Sequence, residues 1–296
     1  MKLAVTGATG FVGSHLLDRC AAKHECRALT RRSMPDKAGV TWVEGALDQP
    51  DSLNELIAGT DAVIHIAGLL TARTAAEFDA VNVAGTRAVV SAARNAGVRR
   101  FVHVSSLAAR HPEVSLYGAS KARSEAVVRE SGLDHAIVRP PAVYGPGDKE
   151  TFDLFRLAKF GLVLLPSDGR LSLIHVDDLA DLLLALAAAP VSLLLEPDDG
   201  APLSQREFAH KLGQAVGRRI AAVKVPGAVM RVGAIIDGLV RRDKAKLTRD
   251  RAAYFAHEDW AVDPTRGVPG ELWRPKISAD DGLAATARWY RDHGWM

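Results

Sequence analysis

Tyr117 and Lys121 stand four residues apart in the stretch Tyr117-Gly-Ala-Ser-Lys121. On a helix, positions i and i+4 share a face, so the phenol and the ammonium point the same way. A positive charge beside a phenol favours the phenolate and is expected to draw its pKa down from about 10 toward working pH. A tyrosine so tuned gives a proton to a carbonyl oxygen or takes one from an alcohol. Ser105 and Ser106 close the preceding apolar run and are placed to hydrogen-bond the same oxygen. The plainer reading is a pair of exposed helix residues, which a Tyr and a Lys at this spacing usually are.

A second feature raises the chemical reading. The stretch Thr6-Gly-Ala-Thr-Gly-Phe-Val-Gly13 joins an apolar strand to a helix, with Gly7, Gly10 and Gly13 spaced by three. The first glycine allows a tight turn, the second lets a diphosphate approach the backbone, and the third lets helix and strand pack closely. The helix start then offers N–H groups and positive partial charge to the phosphates. Because the pattern sits in a strand-turn-helix context, it predicts dinucleotide binding through Gly7, Thr9, Gly10, Phe11, Val12 and Gly13. The next strand ends Ala28-Leu29-Thr30-Arg31-Arg32, with no acid for ribose hydroxyls. A guanidinium suits a 2′-phosphate, so Arg31 and Arg32 predict NADP(H) over NAD. The alternative is that both arginines are solvated loop residues.

These residues need a scaffold. Strands are expected at 3–6, 25–30, 61–67, 101–105 and 136–139, with helices at 13–22, 78–95 and 119–131 between them. Strands that are apolar on both faces and alternate with helices predict a parallel sheet covered on both sides. Past residue 145, Pro and Gly become frequent, and one strand-helix unit returns: 171–176, then Asp177-Asp178 as an N-cap, then a Leu/Ala-rich helix stopped at Pro190. The expected fold class is α/β, a Rossmann doubly wound parallel sheet with a smaller C-terminal α/β substrate region. Residues 1–145, joined by 171–190, would form the NADP-binding domain. Residues 146–170 and 191–296 would form the substrate-binding region.

At this point the chain resembles the extended short-chain dehydrogenase/reductases, the group of NAD-dependent epimerases, dehydratases and related ketone reductases. The matching segments are TGATGFVG at 6–13, DAVIHIAG at 61–68, VNVAGT at 81–86, HVSS at 103–106, YGASK at 117–121, RPPAVYGPGD at 139–148 and IHVDDLA at 174–180. They cover roughly residues 1–190 in the family's order; likeness in the tail is weak. The resemblance implies Tyr117 as the acid/base, Lys121 on the nicotinamide ribose, and Ser106 as the polarising serine in preference to Ser105. It implies that Asn82 holds a strand or water near Lys121. Leu47, Ala67 and Gly68 would line the cofactor, and Pro140 and Val143 would flank the nicotinamide. Two departures stand out. Ala46 takes the place of an acidic residue often found near the adenine, and Leu107-Ala108-Ala109 replaces the Asp-Glu pair of sugar dehydratases. With no carboxylates there, water elimination is not expected.

Composition removes other classes. A formal charge of +3 over 296 residues is too weak for nucleic-acid binding. Residues 201–296 carry 17 Lys+Arg against 11 Asp+Glu, so the positive charge gathers in the C-terminal third. Two cysteines, Cys20 and Cys26, predict neither a disulfide framework nor a metal site, and no metal is expected. His65, His103 and His175 read as packed structural residues. The start of the chain is too soon interrupted to act as a signal peptide, and no apolar run approaches the ~20 residues of a membrane span. A cytoplasmic setting is expected.

One tail segment is unusual. Residues 226–240 (PGAVMRVGAIIDGLV) are apolar but for Arg231 and Asp237, and Arg241, Arg242, Lys244, Lys246, Arg249 and Arg251 follow. Two readings stand for 226–251: a buried helix with a solvated end, or peripheral contact with the inner membrane surface and a lipid-like substrate. The leading functional expectation is NADPH-dependent reduction of a ketone on a hydrophobic substrate, such as a ketosphingoid base or keto-ceramide. Alternatives are a nucleotide-sugar epimerase with retained NAD and a non-catalytic cofactor-binding assembly protein. The resemblance also allows a homodimer through two helices of the dinucleotide domain.

Overall fold

The computed structural model describes residues 1–190, 192–241 and 248–296, and within 227–241 the side chains of Arg231, Ile236 and 238–241 are outside the description. The basic residues at 242, 244 and 246, part of the predicted membrane-contact segment, therefore lie outside the described residues.

Seven strands make one parallel sheet: β1 (Lys2–Thr6), β2 (Glu25–Thr30), β3 (Val40–Glu44), β4 (Ala62–His65), β5 (Arg100–Val104), β6 (Asp134–Val138) and, later in the chain, β11 (Leu193–Leu195). Their spatial order is β11-β6-β5-β4-β1-β2-β3. Alternate side chains of β1 show why: Leu3 and Val5 join one buried cluster while Ala4 joins the other. A strand buried on both faces must be sandwiched. One covering layer holds α1 (Phe11–Cys20), with α7 (Val176–Ala188) packed against it. The other holds α2 (Pro50–Ile57), α4 (Gly85–Asn95) and α5 (Leu116–Arg129), with the one-turn α3 (Ala75–Phe78) before α4. The expected doubly wound α/β class is thus what the chain adopts.

Helix α1 buries Gly13, Leu16, Leu17 and Cys20, a stripe at helical spacing. It starts at Phe11, two residues earlier than its apolar pattern suggested, because Gly10 serves as N-cap without any side-chain hydrogen bond. The predicted helix over 78–95 is not uniform: residues 79–84 form a π-helical stretch before α4, a feature common at functional sites. Asp177 and Asp178 do not cap α7. His175 does, its Nδ1 accepting from the Asp177 N–H, and the two carboxylates occupy the first turn, where the helix dipole favours them. The two cysteines, expected to form no disulfide framework, are joined to each other. Cys20 ends α1 and Cys26 lies in β2, their Cα atoms are 6.6 Å apart, and the sulfurs are bonded.

The remaining elements build a second body beside the sheet. These are β7 (Ala142–Tyr144), α6 (Phe152–Lys159), β8 (Leu162–Leu165), β9 (Arg170–Leu171), β10 (Leu173–His175), β12 (Leu203–Ser204), α8 (Gln205–Val216), β13 (Ala221–Lys224), α9 (Gly227–Arg241), α10 (Arg249–Ala256), β14 (Asp259–Trp260) and α11 (Ala279–Asp292). Strand β10 pairs with β7 outside the main sheet, and β13 pairs with β8. Tyr144, Phe155, Leu165, Leu212, Leu283 and Tyr290 form their common core. Helix α8 has both ends specified by sequence: a Ser204–Glu207 capping box and Gly217 in the left-handed conformation.

Candidate active site

Strand order reverses direction between β1 and β4, and the carboxyl ends of these two strands open onto the principal cavity of the described residues, about 1620 Å³. That volume exceeds the ~300–1,000 Å³ of a usual single-ligand pocket.

The turn after β1 is built by glycine. Gly7 has φ +73°, and a Cβ there would lie 2.6 Å from the Ala67 nitrogen. At Gly13 a Cβ would lie 2.1 Å from the Gly7 carbonyl oxygen, which no side chain tolerates. At Gly10 the nearest atom would be that same oxygen at 3.2 Å, so its surroundings are open toward the cavity. Thr9, Phe11 and Val12 line the same wall. This cradle of open backbone at an uncapped helix start fits a diphosphate. At the end of β2, Arg31 borders the cavity whereas Arg32 does not; the Arg32 carbonyl instead accepts from the Thr30 hydroxyl at 2.8 Å. Leu47 lines the next stretch, together with Asp48, a carboxylate two residues past Ala46 that the sequence comparison overlooked.

Between the glycine turn and Tyr117 runs a chain of buried hydrogen bonds whose proton directions all resolve. Thr86 donates to the Asn82 carbonyl at 2.6 Å, so its oxygen accepts from His65 Nε2 at 3.0 Å. His65 Nδ1 then accepts from the Thr6 hydroxyl at 2.6 Å, and Thr6 accepts from the Ala67 N–H. Asn82, fully buried in the π-helical stretch, clamps Leu69 through both its amide atoms and donates to Ser120, which donates to the Tyr117 carbonyl. Asn82 thus holds the loop after β4 rather than bordering the cavity. A Cβ at Gly68 would come within 3.3 Å of its oxygen and 3.7 Å of Lys121 Nζ. Burial, then the charge of Lys121, push the His65 imidazole down to about 3, so it is a neutral structural link. His103 is held well below its ordinary value, again by burial first.

Tyr117 and Lys121 both face the cavity from α5. The Lys121 ammonium donates to the Val104 carbonyl at 2.7 Å, and burial brings its pKa down to about 8 against the opposing pull of Glu125. Burial pushes the Tyr117 phenol up, with a hydrogen bond to Ser106 as the counter-pull. The expectation that Lys121 draws the phenol toward neutrality is therefore corrected: the desolvated pocket favours the protonated form. Ser106, not Ser105, is the serine that meets Tyr117; the Ser105 hydroxyl is committed to Glu125 at 2.6 Å. Pro140 and Val143 line the cavity beside this cluster.

One residue outside any motif supports Tyr117. Asp250 of α10 accepts from the backbone N–H of Leu116 at 2.6 Å and of Tyr117 at 3.4 Å, while Ser115 takes that of Gly118. A carboxylate at a helix N-terminus is favoured by the dipole. Nothing in the sequence signals this, because 133 residues separate Asp250 from Tyr117. Beyond Tyr117 the cavity is mostly apolar, walled by Phe155, Leu165, Phe208, Met230, Phe255 and Trp260, with Lys149, Glu150, Asp153 and Gln205 among its polar lining residues. Arg251, paired with Glu150 at 2.6 Å, adds charge on this side. Among the described residues no three His, Cys, Asp or Glu side chains converge as metal ligands, and no helix is long and apolar enough to cross a membrane.

A family model described as "NAD dependent epimerase/dehydratase family" matches residues 3–194. A ceramide reductase of Caulobacter vibrioides is 37% identical over 99% of this chain and 96% of its own length. A 4-hydroxy-2-methyl-3-oxo-4-farnesyl-3,4-dihydroquinoline-1-oxide ketoreductase of Stigmatella aurantiaca is 31% identical over 79% of each chain. The solved structure of human epimerase family protein SDR39U1 (isoform 2) with NADPH superposes with a TM-score of 0.77 at 21% identity, covering 97% of this chain and 99% of that one.

Proposed function

We propose, since the chain belongs to the NAD-dependent epimerase/dehydratase family, that this enzyme is a reductase that uses NADP(H) to convert the ketone of a long-chain lipid, of keto-ceramide or ketosphingoid type, into an alcohol. The observation that carries the reading is the continuity of the cavity. One end is a glycine cradle suited to a dinucleotide, the middle holds Ser106, Tyr117 and Lys121, and the far end is an aliphatic and aromatic pocket. Arg31 at the rim and the absence of an acid at the end of β2 favour a 2′-phosphate. The names of two relatives, a ceramide reductase and a ketoreductase of a farnesylated ring, agree with a hydrophobic ketone.

When bound, the reduced nicotinamide supplies a hydride to the carbonyl carbon. The chain's own residues do the rest. Gly7, Gly10 and Gly13 leave room for the diphosphate, and Arg31 meets the 2′-phosphate. Ala67, Gly68, Pro140 and Val143 border the nicotinamide end, and Lys121 meets the ribose. Ser106 hydrogen-bonds the carbonyl oxygen, and Tyr117 gives it the phenolic proton as the alcohol forms. A phenol whose pKa is raised keeps that proton across neutral pH, which suits the reductive direction.

The test is turnover of a keto-ceramide and a ketosphingoid base in mixed micelles with NADPH or NADH, followed by nicotinamide absorbance. NADPH-dependent turnover that falls about 10²–10⁴-fold in Tyr117→Phe, with NADPH binding retained, is the expected result. A purified protein that retains NAD and interconverts nucleotide sugars would overturn the reading. An in vivo phenotype indifferent to Tyr117→Phe would point to a non-catalytic role.

A further inference from the structure

The outer face of the C-terminal body is apolar in a way the cavity does not explain. Among the described residues nine large hydrophobic side chains are exposed, and six of them gather on one unit: Phe160, Leu164, Val223, Val229, Val232 and Ile235. Single exposed hydrophobics are ordinary, but a contiguous set marks a surface made to be covered.

Their placement is set by the backbone. Strands β8 and β13 run in parallel with Leu164 opposite Val223, and both turn outward while Val163 and Leu165 turn into the core. The Val225 N–H bonds to the Leu165 carbonyl, so α9 starts where this small sheet ends. Helix α9 lines the cavity with Val229, Met230 and Gly233, and presents Ala228, Val232 and Ile235 to the outside. It is therefore apolar on more than one face, unlike an ordinary surface helix. Leu164 and Val229 belong to both sets: each is exposed, and each lines the cavity. The apolar end of the cavity thus opens within the apolar patch.

Positive charge rims one end of it. Phe160, 79% exposed, sits between Lys159 and Gly161, and the Gly161 carbonyl accepts from the Ala221 N–H at 2.7 Å. That bond, with the Arg219 carbonyl 3.2 Å from where a Gly161 Cβ would lie, sets the turn carrying Phe160 against the Arg218–Arg219 turn that precedes β13. Lys159, Arg218 and Arg219 are exposed and form no ion pair among the described residues. Lys224, at the other end of β13, is neutralised by Asp168.

From this arrangement we infer that the face carrying Phe160, Leu164, Val223 and the outer side of α9 docks on an anionic lipid bilayer, with Lys159, Arg218 and Arg219 at the headgroups and the cavity mouth against the acyl region. The inference rests on the keto-lipid reading for its purpose: a substrate insoluble in water would enter the cavity from the bilayer. Its geometry stands apart from that reading. Apolar insertion and basic attraction act together in such contacts, each exposed cation contributing severalfold in affinity near an anionic surface.

The experiment is flotation of the full-length protein with vesicles of phosphatidylcholine alone or mixed with phosphatidylglycerol, at low and high salt. Binding is expected to the anionic vesicles, to weaken with salt, and to drop tenfold or more both in Lys159→Glu/Arg218→Glu/Arg219→Glu and in Phe160→Asp/Val232→Asp. Both variants should keep wild-type near-ultraviolet circular dichroism and wild-type turnover of micellar substrate. No binding to anionic vesicles at low salt, or binding untouched by either variant, would overturn the inference. So would a dimer that Phe160→Asp/Val232→Asp dissociates, since the face would then belong to a second copy. Vesicle binding is read without turnover, so a wrong substrate class and a wrong docking face give different results.

Discussion

At the residue scale, the site is a set of groups whose protonation is fixed by burial. His65 and His103 are fully buried, and both are neutral when folded. In the unfolded chain they titrate near 6.5, so below that pH the unfolded state binds protons that the folded state refuses. Stability is then lost as pH falls from about 6.5 toward the folded value of about 3 at His65. His65 is expected to cost about 2 kcal/mol between about pH 7 and about pH 5, and His103, lowered by burial, acts in the same direction. Urea denaturation should show a His65→Gln/His103→Gln variant losing correspondingly less over that range than the wild type. Lys121 behaves in the opposite window. Its folded pKa of about 8 lies below its unfolded value, so stability rises as pH climbs from about 8 toward about 10.5, by up to about 3 kcal/mol. Lys121→Met should lack that rise; an identical pH dependence in the two proteins would show that the ammonium is not desolvated.

At the element scale, the glycine turn separates packing from ligand access. Gly13→Ala forces a methyl group against the Gly7 carbonyl and should cost about 2 kcal/mol or more, as overpacked substitutions do. Gly10→Ala meets only one atom, at 3.2 Å, and should cost less than about 1 kcal/mol while weakening NADPH binding. Denaturation and a binding titration on both variants would check the contrast; equal stability loss would mean that Gly10 is a packing residue. This turn was legible in the sequence because its requirement is local: three glycines between a strand and a helix. Five strands of the sheet, β1, β2, β4, β5 and β6, were legible for a similar reason, since alternation of helix and apolar strand is a short-range pattern; β3 and β11 were not, and the strand expected at 171–176 pairs with β7 outside the sheet. The π-helical stretch at 79–84 was not, because its apolar spacing reads as an ordinary helix. Nor were the Asp250 cap and the Cys20–Cys26 bond, which depend on where distant or folded-back backbone arrives. The His175 cap was hidden by two aspartates that look like better caps.

At the scale of the whole molecule, the sheet and the C-terminal body are joined by buried charge behind the serine strand. Arg139, at the end of β6, grips Glu125 of α5 with Nε and Nη2, each at 2.7 Å, and reaches Glu196, just past β11, at 3.3 Å. Glu196 is fully buried and also accepts from Arg110 at 3.2 Å and from the Asp263 N–H at 2.9 Å. The same Glu125 holds Ser105 and lies one turn beyond Lys121. One carboxylate therefore ties the last strand, the C-terminal loop and, through Arg139, the helix that carries Tyr117. Desolvating such groups is costly, so the network's worth lies less in net stability than in what breaking it leaves behind. Glu196→Ala would take an acceptor from Arg139, which keeps Glu125, from the partly exposed Arg110 and from the Asp263 N–H, and should destabilise by about 2 kcal/mol. Glu196→Gln keeps an acceptor for the Asp263 N–H and should lose less. If the network also sets the register of α5, both variants should lower kcat for the keto-lipid more than they raise KM. Proteins that lose stability but keep wild-type kcat would confine Glu196 to the fold, and leave Asp250 as the link between the C-terminal body and Tyr117.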